Sequence, residues 1–336
     1  MRISAVKRYL LKGSGLSPLF WRKRTKGLYC FNFHRIGDWR QTEFDPCVYS
    51  CTGEDLAKYV EFIKCNFRVI SLDDLKEILA KDLPIVEPLA LLTFDDGYRD
   101  NYEVAYPVLK KASVPATFFI TTSLVESHVV PWWDEIAWHV KQCAGLDIKL
   151  SSWDSSIQIS PGIAEGTFSS KGQIRAVLQK VKAGQASVDS QLDELRALTG
   201  KSIKEEGGES MFMSWSQIRA MVDTGMTVGA HSHSHQVFTG LSEDELKFEL
   251  SHSKQLLESN LDMEISALSY PVGAVSTYSS SMFAEIEQQG YQLAFSFNAH
   301  TNINLQKNRF QLGRIPVDSA FDQRAFMESC LLASKL

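Results

Sequence analysis

Apolar positions recur along this chain in two periods, and their alternation predicts repeated strand and helix units. Leu28-Tyr29-Cys30-Phe31-Asn32-Phe33 is a β-rich run that ends in His34. Leu56, Tyr59, Val60 and Ile63 then share one helical face after Thr52. Phe67–Ile70 is strand-like, and Ser71-Leu72-Asp73-Asp74 resembles a capping box that opens a helix to about Lys81. Leu89-Ala90-Leu91-Leu92 is bounded by Pro88 and is too short for a helix, so it reads as a strand buried on both faces. A helix over Tyr102–Ala112 and a strand over Ala116–Thr121 follow. The order β-α-β-α-β-α-β implies parallel strands with crossover helices, an α/β fold.

Residues 128–212 interrupt this rhythm. Pro131-Trp132-Trp133-Asp134 starts an aromatic-rich helix, residues 151–166 are Ser-rich, and Ile174–Thr199 reads as two amphipathic helices. The segment is expected to be an insertion packed on the main domain. The rhythm resumes with a capping box at Ser214–Gln217 and a helix that stops at Gly225. The strand Thr227–Ala230 leads into His231-Ser232-His233-Ser234-His235, and Ser242 caps a long helix to about Leu261. Ala267–Gly273 is a strand closing on a Pro/Gly turn. A helix near Ser280–Gln289, the strand Tyr291–Phe297, a short strand at Arg314–Val317 and a helix over Phe321–Leu332 complete the chain.

Composition adds bounds. With 336 residues, 44% hydrophobic and 22% charged, the chain has enough apolar material for a sizeable core. A net charge of −5 argues against a nucleic-acid binder. The charge is uneven, because residues 1–26 carry eight cations and no acid, which leaves −13 for the remainder. Residues 1–26 therefore read as a basic arm, and Leu, Phe and Trp among its cations make a peripheral contact with an anionic membrane the functional expectation. No run of 18 apolar residues or clear secretory leader is seen, and the six cysteines form no C-x-x-C pair. A cytoplasmic protein with reduced thiols, membrane-associated through the arm at most, is the expectation.

The candidate chemistry sits where the strands end: His34, Asp95-Asp96, His231 with His235, and Tyr270-Pro271. In a parallel α/β barrel those ends share one face. Consecutive residues of a strand point to opposite faces, so Asp95 and Asp96 can hold different roles. Two acids at the end of a buried strand need a metal ion or a paired positive charge. Two histidines and one carboxylate suit Zn2+ or a similar divalent ion, leaving the other Asp as a general base. Taken alone, H-S-H-S-H could equally be a surface tract or a hydrogen-bonded turn.

At these residues the chain resembles the polysaccharide deacetylases, the NodB-homology domains of carbohydrate esterase family 4. Thr93-Phe94-Asp95-Asp96-Gly97 matches their T-F-D-D-G motif in full, and His231–His235 matches H-[S/T]-x-x-H. The resemblance covers about residues 27–320, least over the insertion. It implies a distorted (β/α)7 barrel spanning residues 27–336, and an enzyme that removes N-acetyl groups from a polysaccharide, oligosaccharide or lipid-linked sugar. Carried over by position, Asp95 is the expected base. Asp96, His231 and His235 are the expected ligands of one divalent ion, Zn2+ with Co2+, Ni2+ and Mn2+ as alternatives. His233 falls at a variable position.

The family's R-x-P-x-G motif is met only in part by Ser269-Tyr270-Pro271-Val272-Gly273, with Ser269 where the base-orienting arginine would stand. Arg314 is the candidate substitute. The family's general-acid histidine has no match near the C-terminus. His34 and His300 are the candidates, and His34 is favoured because it ends a strand. Similar branches of the family also carry a strand ending in His-Arg and a Trp-Trp-Asp segment. Tyr98, Tyr270 and Pro271 are expected to contact the sugar. O-deacetylation, another amide as substrate, or a sugar-binding module without activity are the competing expectations.

Overall fold

A computed structural model describes residues 17–183, 187–203 and 210–335. The chain divides into two compact units. The first comprises the described residues up to Ile36 with 51–126 and 211–335; the second comprises 37–50 and 127–210.

In the first unit the chain runs β1 (Leu28–Phe33), α1 (Gly53–Asn66), β2 (Arg68–Val69), α2 (Leu72–Ala80), β3 (Leu89–Phe94), α3 (Tyr106–Ala112) and β4 (Thr117–Ile120). The second unit then contributes α4 (Trp132–Gln142), α5 (Phe168–Ala183) and α6 (Val188–Thr199). The first unit resumes with α7 (Trp215–Val222), β5 (Thr227–Ala230), α8 (Glu243–Leu261), β6 (Ala267–Ser269), α9 (Phe283–Gln288), β7 (Leu293–Phe295), β8 (Arg314–Pro316) and α10 (Gln323–Leu332).

Seven parallel strands follow the order β7-β6-β5-β4-β3-β1-β8, with the two-residue β2 alongside the start of β3. Phe295 of β7 and Leu312, just ahead of β8, form a parallel bridge that brings the sheet to a nearly closed barrel. The pleat sorts the side chains into two layers. Tyr29, Phe31, Phe33, Leu92, Phe94 and Phe118 pack outward with the helices. Leu28, Cys30, Leu89, Leu91, Phe119, Ala267, Leu293 and Phe295 form a second cluster on the other face, inside the barrel. Gly229 of β5 is needed for that filling, because a Cβ there would collide with the Phe119 ring and come within 2.9 Å of the Ala267 carbonyl oxygen. Continuing the inward register toward the strand ends gives Asn32, Thr93, Asp95 and Ser269, so the barrel interior changes from apolar to polar at the end where the site lies.

The capping boxes at Ser71/Asp74 and Ser214/Gln217 are both formed reciprocally, as is one at Ser242/Glu245. The helix expected over Tyr102–Ala112 instead begins with a π-helical turn at Asn101–Ala105, in which Tyr106 N donates to Asn101 O. Pro107 has no N–H to give to the carbonyl four residues back, so regular α-geometry cannot run through this turn.

The second unit has its own core of Trp133, Ile136, Val140, Ile174, Val177, Val181, Leu192 and Leu195. The buried Asp134 carboxylate accepts from Asp45 N at 2.8 Å and ties the 37–50 segment to α4. The sequence pattern marks only residues 128–212 as this unit, since nothing local assigns 37–50 to it. Residues 1–16, most of the basic arm, lie outside the described residues. Of the remainder, Trp21 is buried on Phe62 and Phe67 and donates from Nε1 to Asn66 Oδ1 at 2.8 Å, so this indole is committed to the core. Among the described residues no helix is long and apolar enough to cross a membrane.

Candidate active site

Asp95 continues the β3 ladder, with its N–H donating to Phe33 O at 3.0 Å, and its carboxylate points into the barrel. There it meets Arg314, whose side chain is fully buried. Nη1 donates to Asp95 Oδ1 at 2.7 Å and Nη2 to Oδ2 at 2.8 Å, the two-pronged geometry that suits a guanidinium to a carboxylate. The remaining donors are also used. Nη1 reaches Asn32 Oδ1 at 2.8 Å, Nη2 reaches Ser269 Oγ at 2.8 Å, and Nε reaches Ser296 O at 3.1 Å. Asn32 Nδ2 donates in turn to Asp95 Oδ2 at 3.2 Å. Burial by itself would raise the Asp95 carboxyl. The Arg314 charge, then that of His231 and the Arg314 hydrogen bonds, outweigh it and hold the group below its ordinary range.

Asp96 leaves the strand at once. Its backbone is left-handed, with φ 73°, and Gly97 follows at φ 85°, a conformation open to glycine and tolerated by aspartate. The turn carries the Asp96 carboxylate away from Arg314 to the loop after β5. Asp96 Oδ1 is buried and has no hydrogen-bond partner among the described residues. It lies 3.3 Å from His231 Nε2 and 3.6 Å from His235 Nε2. One ligand atom from each of Asp96, His231 and His235 lies within 4.8 Å of the others, and all three residues are buried.

His231 Nδ1 lies 2.8 Å from the Ser269 carbonyl oxygen. A carbonyl only accepts, so Nδ1 carries the proton and Nε2 faces Asp96 with its lone pair, the arrangement a ligating histidine needs. Burial would raise the Asp96 carboxyl, but the neighbouring imidazoles of His231, His34 and His235 hold it far below its usual range. For His231 burial works downward, and the negative charges of Asp95 and Asp96 carry the imidazole above its ordinary value. An orphaned carboxylate oxygen between two imidazole nitrogens, one with its tautomer fixed, is a donor set that fits a divalent cation of the Zn2+ type.

His34 follows β1 beside this centre. Its Nε2 is 3.9 Å from Asp95 Oδ2, its side chain is 25% exposed, and its ring meets Phe297 edge-on at 5.7 Å. Its backbone is clamped from the turn after β3. Asn101 Nδ2 donates to His34 O at 2.8 Å, and Asp100 accepts from Ile36 N at 2.9 Å and Arg35 Nε at 2.8 Å.

The other candidates are not brought here. His300 pairs with the 334–335 strand, and two residues on Asn302 exchanges backbone bonds of 2.9 Å with Leu28, where β1 begins. His300 therefore sits towards the far end of the barrel from Asp95, because the chain doubles back after β7. Tyr270 is 1% exposed. It is one residue beyond the inward Ser269, so the pleat turns it outward, where it stacks on Tyr278 at 4.2 Å and donates to Phe310 O at 2.7 Å. Pro271 is buried too. Tyr98 is 0% exposed, with its ring between Phe212 at 4.8 Å and the Arg35 guanidinium at 4.6 Å. None of these three offers the surface that the expected sugar contact requires. Asn32, Asn101 and Phe297 carry no motif that singles them out in the sequence. Asn32 alone has a local signal, as the one polar side chain in an otherwise apolar strand.

A family model described as polysaccharide deacetylase matches residues 85–294. A Bacillus subtilis relative named "Putative polysaccharide deacetylase YxkH" is 21% identical over 261 residues, which cover 78% of this chain and 63% of that protein's length. Among solved structures, the Streptococcus pyogenes deacetylase PplD is 16% identical with a TM-score of 0.58, over 90% of this chain and 98% of the other. IcaB from Ammonifex degensii is 17% identical with a TM-score of 0.56, over 92% and 98%. These two likenesses concern the fold.

Proposed function

Because the chain belongs to the polysaccharide deacetylase family, we propose that it is a metal-dependent amidohydrolase that removes N-acetyl groups from a sugar. The observation that carries this reading is the division of labour between adjacent acids, Asp95 in the Arg314 fork and Asp96 between two imidazole nitrogens.

Asp96, His231 and His235 would hold the ion. When bound, such an ion lowers the pKa of water and polarises a carbonyl as a Lewis acid. Asp95 accepts the proton from the attacking water. Arg314 keeps that carboxylate ionised and fixed in direction, at some cost in basicity. His34, partly open and beside Asp95, gives a proton to the departing amine nitrogen. Acetate and a free amino sugar result. With Arg314 holding Asp95, the serine at position 269 no longer argues for an inactive sugar-binding module.

The test is acetate release from N-acetylated and O-acetylated glycans, with and without a chelator. Chelation is expected to abolish release, and metal is expected to restore it. The double substitution His231→Ala/His235→Ala is expected to strip the metal. Full metal occupancy in that variant, or release untouched by chelation, would overturn the assignment. Preferred release from O-acetylated glycans would point to the O-deacetylase reading.

The proton donor has a separate test. The rate should fall at high pH as the acid loses its proton, so His34→Ala is expected to lose that limb of the profile while keeping its metal. His300→Ala is expected to behave as wild type. The reverse pattern would exclude His34.

A further inference from the structure

The two histidines of the centre lie four residues apart on a loop with no regular hydrogen-bond ladder. Two of its residues, Ser232 at φ 62° and His235 at φ 57°, are in the left-handed region. Only side chains cost energy there, and neither residue is glycine. Within the loop His235 N donates to Ser232 Oγ at 3.0 Å, and the rest of its hold comes from outside.

One side is held by the segment after β4. Thr122 N donates to Ser232 O at 3.3 Å, Ser123 N donates to His233 O at 2.9 Å, and Thr122 Oγ1 lies 2.9 Å from His233 Nδ1. The other side is held by α8. Glu249 occupies the apolar stripe of that helix with Leu246, Leu250, Ser253 and Leu257, and is 3% exposed. A carboxylate buried there is costly unless it is compensated. Its compensation comes from the loop: His233 N donates at 2.8 Å, Ser234 N at 2.9 Å, and Ser234 Oγ donates as well. Successive N–H groups beside a left-handed residue form an anion-binding concavity. Here the anion is the chain's own.

We propose that Glu249 is a positioning residue for the cation centre, its carboxylate pinning His233 and Ser234 so that His231 and His235 keep both Nε2 atoms turned to Asp96. His233 and Ser234 are then the anchors of the loop, and the ligands flank them. The inference rests on the metal-binding reading above and adds to it a residue from a helix that contributes no ligand.

Zn2+ affinity measured by chelator competition, with melting and amide hydrogen exchange of the metal-free protein, tests this. Glu249→Gln keeps the shape of the side chain and removes the charge. It is expected to weaken Zn2+ binding by about 10–100-fold, the usual effect of losing an outer-shell partner. The His233 and Ser234 amides are expected to exchange faster in it than in wild type. Ser234→Ala leaves the carboxylate and both backbone bonds, and is expected to weaken binding by roughly 2–10-fold, the worth of one hydrogen bond. Wild-type affinity in folded Glu249→Gln would overturn the inference. Should Glu249→Gln fail to fold, Ser234→Ala decides, and unchanged affinity in it would do the same. Absence of Zn2+ binding by the wild-type protein would instead sink the proposed function, and this inference with it.

Discussion

Asp95→Asn is expected to retain its metal and lose about 10²–10⁴-fold in kcat, the usual cost of a positioned base. Asn has the shape of Asp and keeps one acceptor oxygen for the Arg314 fork, so the barrel end should stay assembled. The variant also leaves the buried guanidinium without its counter-charge. Rates should therefore be compared well below the melting temperature of the variant, with metal content measured in the same sample. Wild-type kcat in folded, metal-loaded Asp95→Asn would put the base elsewhere.

The second large effect belongs to Arg314. Removing one partner of a buried ion pair costs about 3–5 kcal/mol, because the other charge stays buried and uncompensated. Arg314→Met is expected to show a loss of that order in urea unfolding at pH 7, together with a loss of turnover. The pH dependence fixes the cause. In the wild type the Asp95 carboxyl is held below its ordinary value despite burial. The stability it contributes is full above the unfolded carboxyl value, about 3.9, and is lost only as pH falls through the lower folded value. Without Arg314, burial pushes the same carboxyl upward, so its penalty is present at neutral pH, fades as pH falls through the raised folded value, and is gone below about 4. The stability gap between Arg314→Met and wild type is thus expected to narrow on acidification. A gap that stays constant from pH 7 to pH 4 would show that Arg314 acts by packing alone. The double variant Asp95→Asn/Arg314→Met should lose less stability than the two single losses added, since no charge is left unmatched.

Much of this arrangement is legible along the chain itself. Strand ends can be read because apolar runs stop at residues that carry chemistry, as at Phe94 before Asp95 and Ala230 before His231. Capping boxes are legible because their two bonds are local. Arg314 emerges from a gap, a serine where an arginine is needed. The misplaced residues share a cause, since spacing along the chain does not fix direction in space. Tyr270 adjoins an inward serine, and the pleat sends it the other way. His300 follows a strand by a few residues, yet the chain has already turned back towards Leu28. Glu249 stands out locally only as an acid within a helix's apolar stripe, and its partners in the histidine loop are a tertiary matter.

The position of β8 has a consequence for synthesis. It is the last barrel strand to leave the ribosome, and it flanks β1, the first. A nascent chain emerging N-terminus first exposes Asp95, then the two histidines, long before residue 314 exists. Until then the first-made strand keeps an open edge, and Asp95 lacks the Arg314 guanidinium that pairs with it in the finished fold. The Arg314–Asp95 fork can therefore close only when the final strand docks, and an unfinished chain carries Asp96 and both histidines before Asp95 has its partner.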